Sequence, residues 1–438
     1  MSAGARARTA ALLAAAAVVL GGCGSSGSGG GDNSGGGGGA APKLEGRGPI
    51  TFATGKDTSG NMQKLVDQWN TDHPDEKVTI TELPEAADEQ RNRMIQNAQV
   101  ESAEYSVLNL DVIWTAEFAA NRWIVALPQD QFDLDKFLKP AVDTAMYRDK
   151  MYAMPVYSDG GLLYYRKDLL TKAGVSEPPK TWAEMKTACD KVKALPEAKS
   201  IGCYAGQFDK YEGLTVNFSE AVQSAGGTVV DDSGKPTVNS QQAKDGLNFL
   251  VDGLKSGEIP KAAITYQEEP GRRAFQDGQL LFHRQWPYQW AKANATDGSS
   301  KVAGKFDVAP LPGKDGPGVS TLGGHNFAIS AFAPNKATAL DFIKFFSSEE
   351  AERSNLLATS QAPTRSALYD EAALKEKFPY LPTLKASIDN AAPRPKVVKY
   401  GDVTAAIQEA AYSAMTGDKP TDQALSDLQT KLEELTKQ

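Results

Sequence analysis

Short apolar runs alternate with helix-like segments near the start of the folded part of the chain, and this alternation restricts the fold more than any other sequence feature. Strand-like residues at 49–53 and 78–80 are each followed by a segment of helical character, at 61–70 and 87–100. Strands that are separated by helices usually pair in parallel, because the helix returns the chain to the same end of the sheet. The pattern therefore predicts an α/β fold with a mostly parallel sheet flanked by helices.

The next segment, from Leu108 to Leu127, places an acid where such a sheet would receive a ligand. An apolar run surrounds Asp111, and a helix-like segment starts at Thr115. Open α/β sheets bind ligands beyond the carboxyl ends of their strands, so Asp111 is a candidate binding residue. The alternative is a turn or helix-capping carboxylate. Acid-plus-aromatic segments recur further along the chain, and they favour a polyhydroxylated ligand because carboxylates accept hydroxyl protons while flat rings cover C–H faces.

The first 22 residues have the composition of a signal peptide. Arg6 and Arg8 precede an apolar run from Ala10 to Leu20, which is too short for a permanent membrane span. The tripeptide Leu-Gly-Gly before Cys23 resembles the bacterial lipobox, so Cys23 is predicted to be the lipid-modified first residue of the mature protein. The alternative is a soluble secreted protein in which Cys23 has no such role.

Glycine and serine make up almost all of residues 24–39, and such a segment cannot bury enough apolar surface to fold. We interpret residues 23–46 as a lipid-anchored tether on the extracytoplasmic face of the cell membrane. About 390 of the 438 residues follow this tether, and that length suggests two lobes rather than one core.

Several classes of function are disfavoured by charge and by motifs. The net charge of −8 provides no basic surface for nucleic acid. The histidines His73, His283 and His325 are scattered without metal-ligand spacing, and no G-x-S-x-G nucleophile elbow occurs. We therefore predict no metal, no cofactor and no catalytic residue.

Residues 151–165 have the pattern of a segment that passes between two lobes. Two extended pieces are interrupted by Pro155 and by a pair of glycines, where the backbone can bend. Tyr157 and Asp159 would then lie at a cleft between the lobes. A surface turn is the alternative interpretation.

Cys189 and Cys203 form an even pair once Cys23 is assigned to lipidation. In an oxidising compartment such a pair favours a disulfide that closes a short loop. Two buried free thiols are the alternative, because the Cα separation that decides between them is not contained in the sequence.

The run VYSDGGLLYYRKDL at 156–169, followed by EPPKTWAEM at 177–185, resembles the hinge and the following helix of solute-binding proteins that serve carbohydrate ABC importers. The second run also contains a capping box, Thr181-x-x-Glu184, which supports a helix start independently. The similarity extends over nearly all of the chain beyond the tether and is strongest to the trehalose/maltose-binding branch. Further matching segments are EQR at 89–91, LDVIW at 110–114, YEGL at 211–214, EEP at 268–270, RQWPYQW at 284–290, APLP at 309–312, TLGG at 321–324 and APRP at 392–395.

The resemblance implies a two-lobed fold of the periplasmic-binding-protein type, in which each lobe is a mostly parallel sheet flanked by helices and the ligand cleft lies between them. A second crossing is expected at 306–312 and a third at 362–364. The implied lobes are 47–155 plus 309–361, and 156–308 plus 362–438.

The resemblance also implies a set of sugar contacts. In this chain the implied ligand-binding residues are Asp57, Arg91, Asp111, Tyr157, Asp159, Glu268, Trp286, Gly324, His325 and Arg394. Two positions depart from the related proteins: His325 stands where they tend to carry tryptophan, and Thr58, beside Asp57, falls near where they place an acid.

Three of these residues also have a purely structural interpretation. Arg91 could be a solvated side chain on a charged helix, Glu268 a solvated acid in the turn before Pro270, and Trp286 a core residue beneath Pro287.

Taken together, these features predict a tethered, monomeric receptor that binds an α-linked disaccharide, trehalose or maltose, and delivers it to the permease subunits of an ABC transporter. A secreted glycoside hydrolase acting on a small glucoside is the alternative from another class, since paired acids and aromatic rings also serve that chemistry. A receptor for another oligosaccharide is a further alternative, and a peptide or metal receptor is the third class of interpretation, which the scattered histidines disfavour.

Overall fold

A computed structural model of the chain describes residues 44–437, with the exception of Thr58 and Asp232. The predicted signal peptide, the predicted lipidation of Cys23 and residues 23–43 of the predicted tether lie outside the described residues. Among the helices of the described part, none has both the length and the apolar character that a membrane crossing requires.

Strands and helices alternate in the first part of the described residues, four strands then follow one another, and helices end the chain. The strands are β1 (Ile50–Thr54), β2 (Val78–Glu82), β3 (Val107–Asp111), β4 (Met146–Tyr147), β5 (Lys150–Met151), β6 (Met154–Gly160), β7 (Leu162–Tyr165), β8 (Gly202–Ala205), β9 (Leu280–Gln285), β10 (Asp307–Ala309) and β11 (Leu322–Ile329). The helices are α1 (Asn61–Asp72), α2 (Ala87–Gln99), α3 (Thr115–Ala120), α4 (Lys139–Thr144), α5 (Lys167–Lys172), α6 (Trp182–Lys193), α7 (Glu212–Ser224), α8 (Gln241–Ser256), α9 (Glu268–Gln276), α10 (Gln289–Ala293), α11 (Lys336–Phe346), α12 (Glu349–Thr359), α13 (Ala372–Lys377), α14 (Leu381–Asp389), α15 (Tyr400–Thr416) and α16 (Thr421–Thr436).

The first lobe is built on a five-stranded sheet with the order β2-β1-β3-β11-β6. Strand β1 pairs in parallel with β2 and β3, while β11 runs antiparallel to β3 and β6. Most strands of this sheet therefore share one direction, as predicted, and β11 is the one that returns. Asp111 is the last residue of β3, so the predicted position of this acid at a strand end is confirmed.

The second lobe contains a four-stranded sheet with the order β10-β7-β9-β8. Strand β8 pairs in parallel with β9, whereas β7 pairs antiparallel with both β9 and β10. Three of the four strands, β8, β9 and β10, therefore share one direction, and β7 is the one that returns, because it enters this lobe directly from the first one without a crossover helix.

Each lobe has its own apolar core. In the first lobe the ring of Phe52 on β1 lies 4.6 Å from that of Phe327 on β11 and 5.6 Å from that of Phe342 on α11. The α11 face that carries Phe342, Ile343 and Phe346 is buried, as the spacing by three and four residues predicts. In the second lobe the core includes Tyr164, Phe218, Leu247 and Phe282.

The chain passes between the two sheets at positions that partly differ from those predicted. The first passage is at Gly161, between β6 and β7. Pro155 lies inside β6 and pairs with Asn326, but the register between β6 and β11 shifts directly after it, so the strand is irregular there without being broken. The second passage falls between Ala309 and Leu322, because β10 still belongs to the second sheet. The predicted crossing at 306–312 was therefore placed too early.

Two predicted helical features are present in the structure. Thr181 and Glu184 form the reciprocal capping box at the start of α6. Helix α15 packs against α7, α8 and α16, so the terminal helices cover the second lobe as predicted.

Cys189 on α6 and Cys203 on β8 are joined by a disulfide, with their Cα atoms 5.7 Å apart. The two residues are separated by 14 positions in the sequence. Closing a loop of this length restricts the unfolded chain and stabilises the native state by about 3 kcal/mol in the chain-entropy model.

We expect the double variant Cys189→Ser/Cys203→Ser to lose about 3 kcal/mol of unfolding free energy, because its unfolded chain regains the freedom that the loop removes. Urea denaturation of the variant and of the oxidised wild type measures the difference. Reduced wild type is the control and should resemble the variant. Equal unfolding midpoints for variant and oxidised wild type would contradict the stabilising role of the bond.

Candidate functional site

A cavity of ≈ 550 Å³ lies between the two sheets and is lined by residues from both lobes. Nine of the ten predicted ligand-binding residues contribute to its lining. These nine are Asp57, Asp111, Tyr157, Asp159, Glu268, Trp286, Gly324, His325 and Arg394. The volume lies within the range of roughly 300–1,000 Å³ that is typical of small-molecule sites.

Arg394 joins carboxylates of the two lobes at one wall of the cavity. Its guanidinium donates through Nη2 to Asp111 Oδ1 at 2.5 Å, through Nη1 to Asp111 Oδ2 at 3.1 Å, and also through Nη1 to Glu212 Oε1 at 2.6 Å. Only 2 % of Arg394 is exposed. Buried charge pairs of this kind hold their partners in one geometry, because breaking them would leave a desolvated charge.

Asp111 keeps limited capacity for a ligand. Besides the two bonds from Arg394, its Oδ1 accepts the main-chain N–H of Ile113 at 3.1 Å. A carboxylate offers about four acceptor positions, so roughly one remains for a ligand hydroxyl. Asp111 therefore orients Arg394 at least as much as it can contact a ligand.

Glu212, at the first position of α7, was not among the predicted site residues, although the segment YEGL that contains it was recognised as a match. It lines the cavity and accepts hydrogen bonds from Arg394, from the hydroxyl of Tyr400 and from Thr404 Oγ1. Burial raises the pKa of Glu212 to about 7, although the charge of Arg394 opposes this rise. Glu212 thus connects the cavity to α15.

Tyr157 and His325 form a stacked pair in the cavity wall. Their ring centres are 4.9 Å apart with an angle of 22° between the planes, and the two residues face each other across strands β6 and β11. His325 Nδ1 also lies 3.1 Å from Asn109 Oδ1. Burial lowers the pKa of His325, which favours the neutral form of the ring and so a flat, uncharged surface.

Gly324 allows β11 to pass very close to β6. Its φ is +112°, in a region that only glycine adopts readily, and a Cβ at this position would overlap the carbonyl oxygen of Tyr157. The neighbouring Gly323 leaves room for the ring of Trp286, whose nearest atoms would lie 2.8 Å from a Cβ there. These two glycines therefore bring the backbone against the cavity.

We expect Gly324→Ala to lower the unfolding free energy by about 3 kcal/mol or more, since it adds a main-chain clash to an unfavourable φ. Gly60→Ala is the matched control, because Gly60 also has a positive φ, +74°, but a Cβ there meets nothing within 4 Å. The control should lose only about 1 kcal/mol. Urea denaturation compares the two, and equal losses would mean that the close approach of β11 to β6 is not required.

Asp159 is 9 % exposed and lies at the end of β6, next to the first passage between the lobes. Burial raises its pKa to about 7, and the charge of Asp111 adds to this effect, while the positive charge of Arg284 opposes it. Within the described residues, Asp159 Oδ1 has no hydrogen-bond partner. This carboxylate is therefore an acceptor available to a ligand.

Glu268 and Trp286 bring the second lobe to the cavity. Glu268 opens α9, and burial raises the pKa of its carboxyl group, beside which the hydroxyl of Tyr211 lies. Trp286 follows β9 and is half-buried, with the guanidinium carbon of Arg284 3.8 Å from its ring centre. Trp286 is thus part of the cavity wall rather than a core residue under Pro287.

Asp57 lines the cavity but also caps a helix. Its Oδ1 accepts from the main chain and side chain of Ser59, at 2.8 and 2.6 Å, and its Oδ2 accepts the N–H of Met62 at 3.0 Å. These bonds fix the loop before α1 and leave Asp57 with little freedom. The neighbouring Thr58 lies outside the described residues.

Arg91 is the predicted contact that the structure does not bring into the cavity lining of the described residues. Its guanidinium donates to both carboxylate oxygens of Glu117, at 2.8 and 2.5 Å, and lies against Gly401 at the start of α15. The structure places this side chain against Glu117 and the start of α15, so its predicted contact with the sugar stays a prediction.

Unpartnered polar atoms indicate which chemistry the cavity can recognise. Within the described residues, the buried atoms Trp114 Nε1, Asp159 Oδ1, Tyr211 Oη and Arg394 Nε lack a hydrogen-bond partner, and all four residues line the cavity. The two nitrogens donate, the carboxylate oxygen accepts, and the tyrosine hydroxyl can do both. Buried polar groups normally have partners, so this combination favours a ligand that both donates and accepts, as sugar hydroxyls do. In the same part of the chain no cluster of three His, Cys, Asp or Glu residues could hold a metal ion.

Comparisons with known proteins give a consistent result. A family model described as bacterial extracellular solute-binding protein matches residues 54–353. A probable ABC transporter-binding protein of Deinococcus radiodurans is 32% identical over 87% of this chain and 92% of its own length. A mannitol-binding protein of Pseudomonas aeruginosa is 25% identical over 88% of this chain and 93% of its own.

Among solved structures, maltose-bound MalE3 of T. maritima superimposes with a TM-score of 0.84 and 34% sequence identity. The match covers 88% of this chain and 99% of that one. It confirms the predicted two-lobed fold of the periplasmic-binding-protein type.

Proposed function

This chain belongs to the bacterial extracellular solute-binding proteins, and we propose that it captures an α-linked disaccharide, trehalose or maltose, between its lobes and delivers it to the permease of an ABC importer. The observation that carries the proposal is the cavity between the two lobes, in which buried donors and acceptors stand beside aromatic rings. The sugar named for the similar T. maritima structure is maltose, which supports a disaccharide over a polyol.

In this proposal, the two lobes hold opposite sides of the sugar. Asp159 and Glu268 accept hydrogen bonds from hydroxyl groups, and Arg394 donates to sugar oxygens through its unpartnered Nε. Trp286 covers one glucosyl ring, which removes apolar area from both partners. Because the contacts are divided between the lobes, the sugar favours the closed arrangement through its higher affinity for that arrangement.

Binding can be tested with a thermal-shift screen of trehalose, maltose, mannitol and an unrelated amino acid. A ligand at ~100 times its dissociation constant adds ~2.7 kcal/mol to the unfolding free energy, so a true ligand produces a clear shift. We expect trehalose or maltose to give the largest shift. A larger shift with mannitol, or none with either disaccharide, would reject the disaccharide proposal.

Sugar analysis after incubation separates this proposal from the hydrolase alternative. A receptor returns trehalose and maltose intact, whereas a glycoside hydrolase releases glucose. Release of glucose by the purified protein, at a rate that the Asp159→Asn variant loses, would establish the alternative.

We further propose that the mature protein begins at lipid-modified Cys23 and is held at the extracytoplasmic face of the membrane. One acyl chain binds membranes only marginally, so stable anchoring needs the several chains that lipoproteins carry. Mass spectrometry of the membrane-extracted protein should find the acylated Cys23 as its first residue. Peptides from upstream of Cys23 in that protein would contradict this.

A further inference from the structure

Arg284 is a fully buried arginine that does not line the cavity within the described residues, yet it lies two positions before Trp286. Its Nε and Nη2 donate to the carboxylate of Glu220 at 2.7 and 2.5 Å, and its Nη1 donates to Gln207 Oε1 at 3.1 Å. Its exposure is 0 %. A desolvated guanidinium with this number of charged and polar partners has one available position.

The fixed guanidinium lies over the ring of Trp286. Its central carbon is 3.8 Å from the ring centre, which is close stacking for a cation on an aromatic face. One face of the indole is therefore occupied by protein. The ring edge meets Gly323 of β11, where a Cβ would lie 2.8 Å from the ring.

The same ion pair reaches two of the segments that pass between the lobes, the first and the second. Glu220 Oε1 accepts the main-chain N–H of Thr321 at 3.1 Å, and Gly161 donates its N–H to Ser320 Oγ at 2.6 Å. A Cβ at Gly161 would lie 2.8 Å from Arg284 Nη2. The first and second passages are thus packed directly on this pair.

We propose that Arg284 is a positioning residue that fixes the plane of the Trp286 ring. Through Glu220, the orientation of this ring is coupled to the first two passages between the lobes. The ring then meets the ligand with its remaining face already oriented. A ring that is ordered before binding loses less conformational freedom when the sugar arrives, which strengthens binding without any contact from Arg284. The effect on affinity rests on the proposed function, whereas the effect on the ring does not.

The variant Arg284→Lys tests this proposal, because it keeps the positive charge beside Glu220 but removes the planar group that stacks on the indole. We expect disaccharide affinity, measured by calorimetry, to fall about tenfold. In a Trp286→Ala background the same change should have no further effect, since there is no ring left to position. An equal loss in both backgrounds would overturn the proposal.

Fluorine NMR of protein labelled with 5-fluorotryptophan reports the ring itself, without any ligand. The chain has six tryptophans, and the signal missing in Trp286→Phe assigns the ring of interest. In Arg284→Lys this signal should shift and broaden while the other five remain. An unchanged signal would overturn the proposal, even if the protein proved not to bind disaccharides.

A matched control is Arg166→Lys, because Arg166 also makes a two-point pair with a carboxylate, Asp168, at 2.8 and 2.7 Å, and lies outside the cavity lining. It should leave both the affinity and the Trp286 signal unchanged.

Should Arg284→Lys fail to fold, Glu220→Gln tests the same link, since it retains Arg284 but removes the charge that holds it. It should likewise broaden the Trp286 signal, and a sharp, unshifted signal would overturn the proposal.

Discussion

Replacing Arg394 by methionine is expected to remove measurable disaccharide binding. The variant keeps the length of the side chain but leaves Asp111 and Glu212 as buried carboxylates without their shared cation. Breaking such an arrangement lowers the unfolding free energy by about 3–5 kcal/mol. Binding in addition loses the Arg394 donor, worth roughly 1.5–3 kcal/mol or about ten- to a hundredfold in affinity, together with the geometry of Asp111 and Glu212 that the shared cation fixes. Calorimetric titration with trehalose and maltose measures the loss.

A second variant separates lost binding from lost stability. In Arg394→Met/Glu212→Gln the uncompensated charge on α7 is absent, so unfolding free energy should be partly restored while binding stays lost. The exposed arginine Arg47 pairs with Glu76 and Asp341 at the surface, and Arg47→Met should change neither property by more than about 1 kcal/mol. Wild-type affinity in the folded Arg394→Met variant would place the ligand away from this wall of the cavity.

The predictable parts of the molecule are those that depend on local pattern. The position of Asp111 at the end of β3 and the apolar face of α11 follow from strand ends and helical spacing. The start of α6 at Thr181 follows from a capping box that needs only four residues. In each case the residues that decide the structure are neighbours in the sequence.

The missed parts depend on contacts between distant segments. Glu212 looks like an ordinary acid in the first turn of a helix, and it becomes a buried site residue only because Tyr400, 188 positions away, packs against it. Arg91 was expected in the cavity because the family pattern identifies the residue, but not the direction of its side chain. That direction is set by Glu117 and by the start of α15.

Arg284 illustrates the same limit at the boundary between site and scaffold. The segment RQWPYQW was recognised, and its Trp286 was predicted as a ligand-binding residue and lines the cavity. Nothing in the sequence distinguished the arginine two positions earlier. Residues on one strand alternate between its faces, so Arg284 and Trp286 could share a side. That they stack depends on Glu220 and Gln207, which come from α7 and from the loop before it.

The affinity for the disaccharide is expected to fall as pH decreases below 7. In the ligand-free protein burial raises the pKa of Asp159 to about 7. A sugar hydroxyl donates to the ionised carboxylate, so binding favours that form and the protonated form must first lose its proton. Affinity should therefore be constant above about pH 8 and fall by up to tenfold per unit below 7, or roughly a hundredfold at pH 5.

Calorimetry from pH 5 to 8, in buffers of different ionisation enthalpy, measures both the affinity and the protons released on binding. Asp159→Asn should bind more weakly at pH 8 but with a much smaller dependence on pH. Glu212 requires its own control, because burial raises its pKa to about 7 as well. Glu212→Gln should retain the part of the pH dependence of affinity that comes from Asp159. The opposite result is that Asp159→Asn keeps the full dependence of affinity on pH and Glu212→Gln loses it. The proton would then be released from Glu212, which pairs with Arg394. Asp159 would not be the acceptor that the sugar requires.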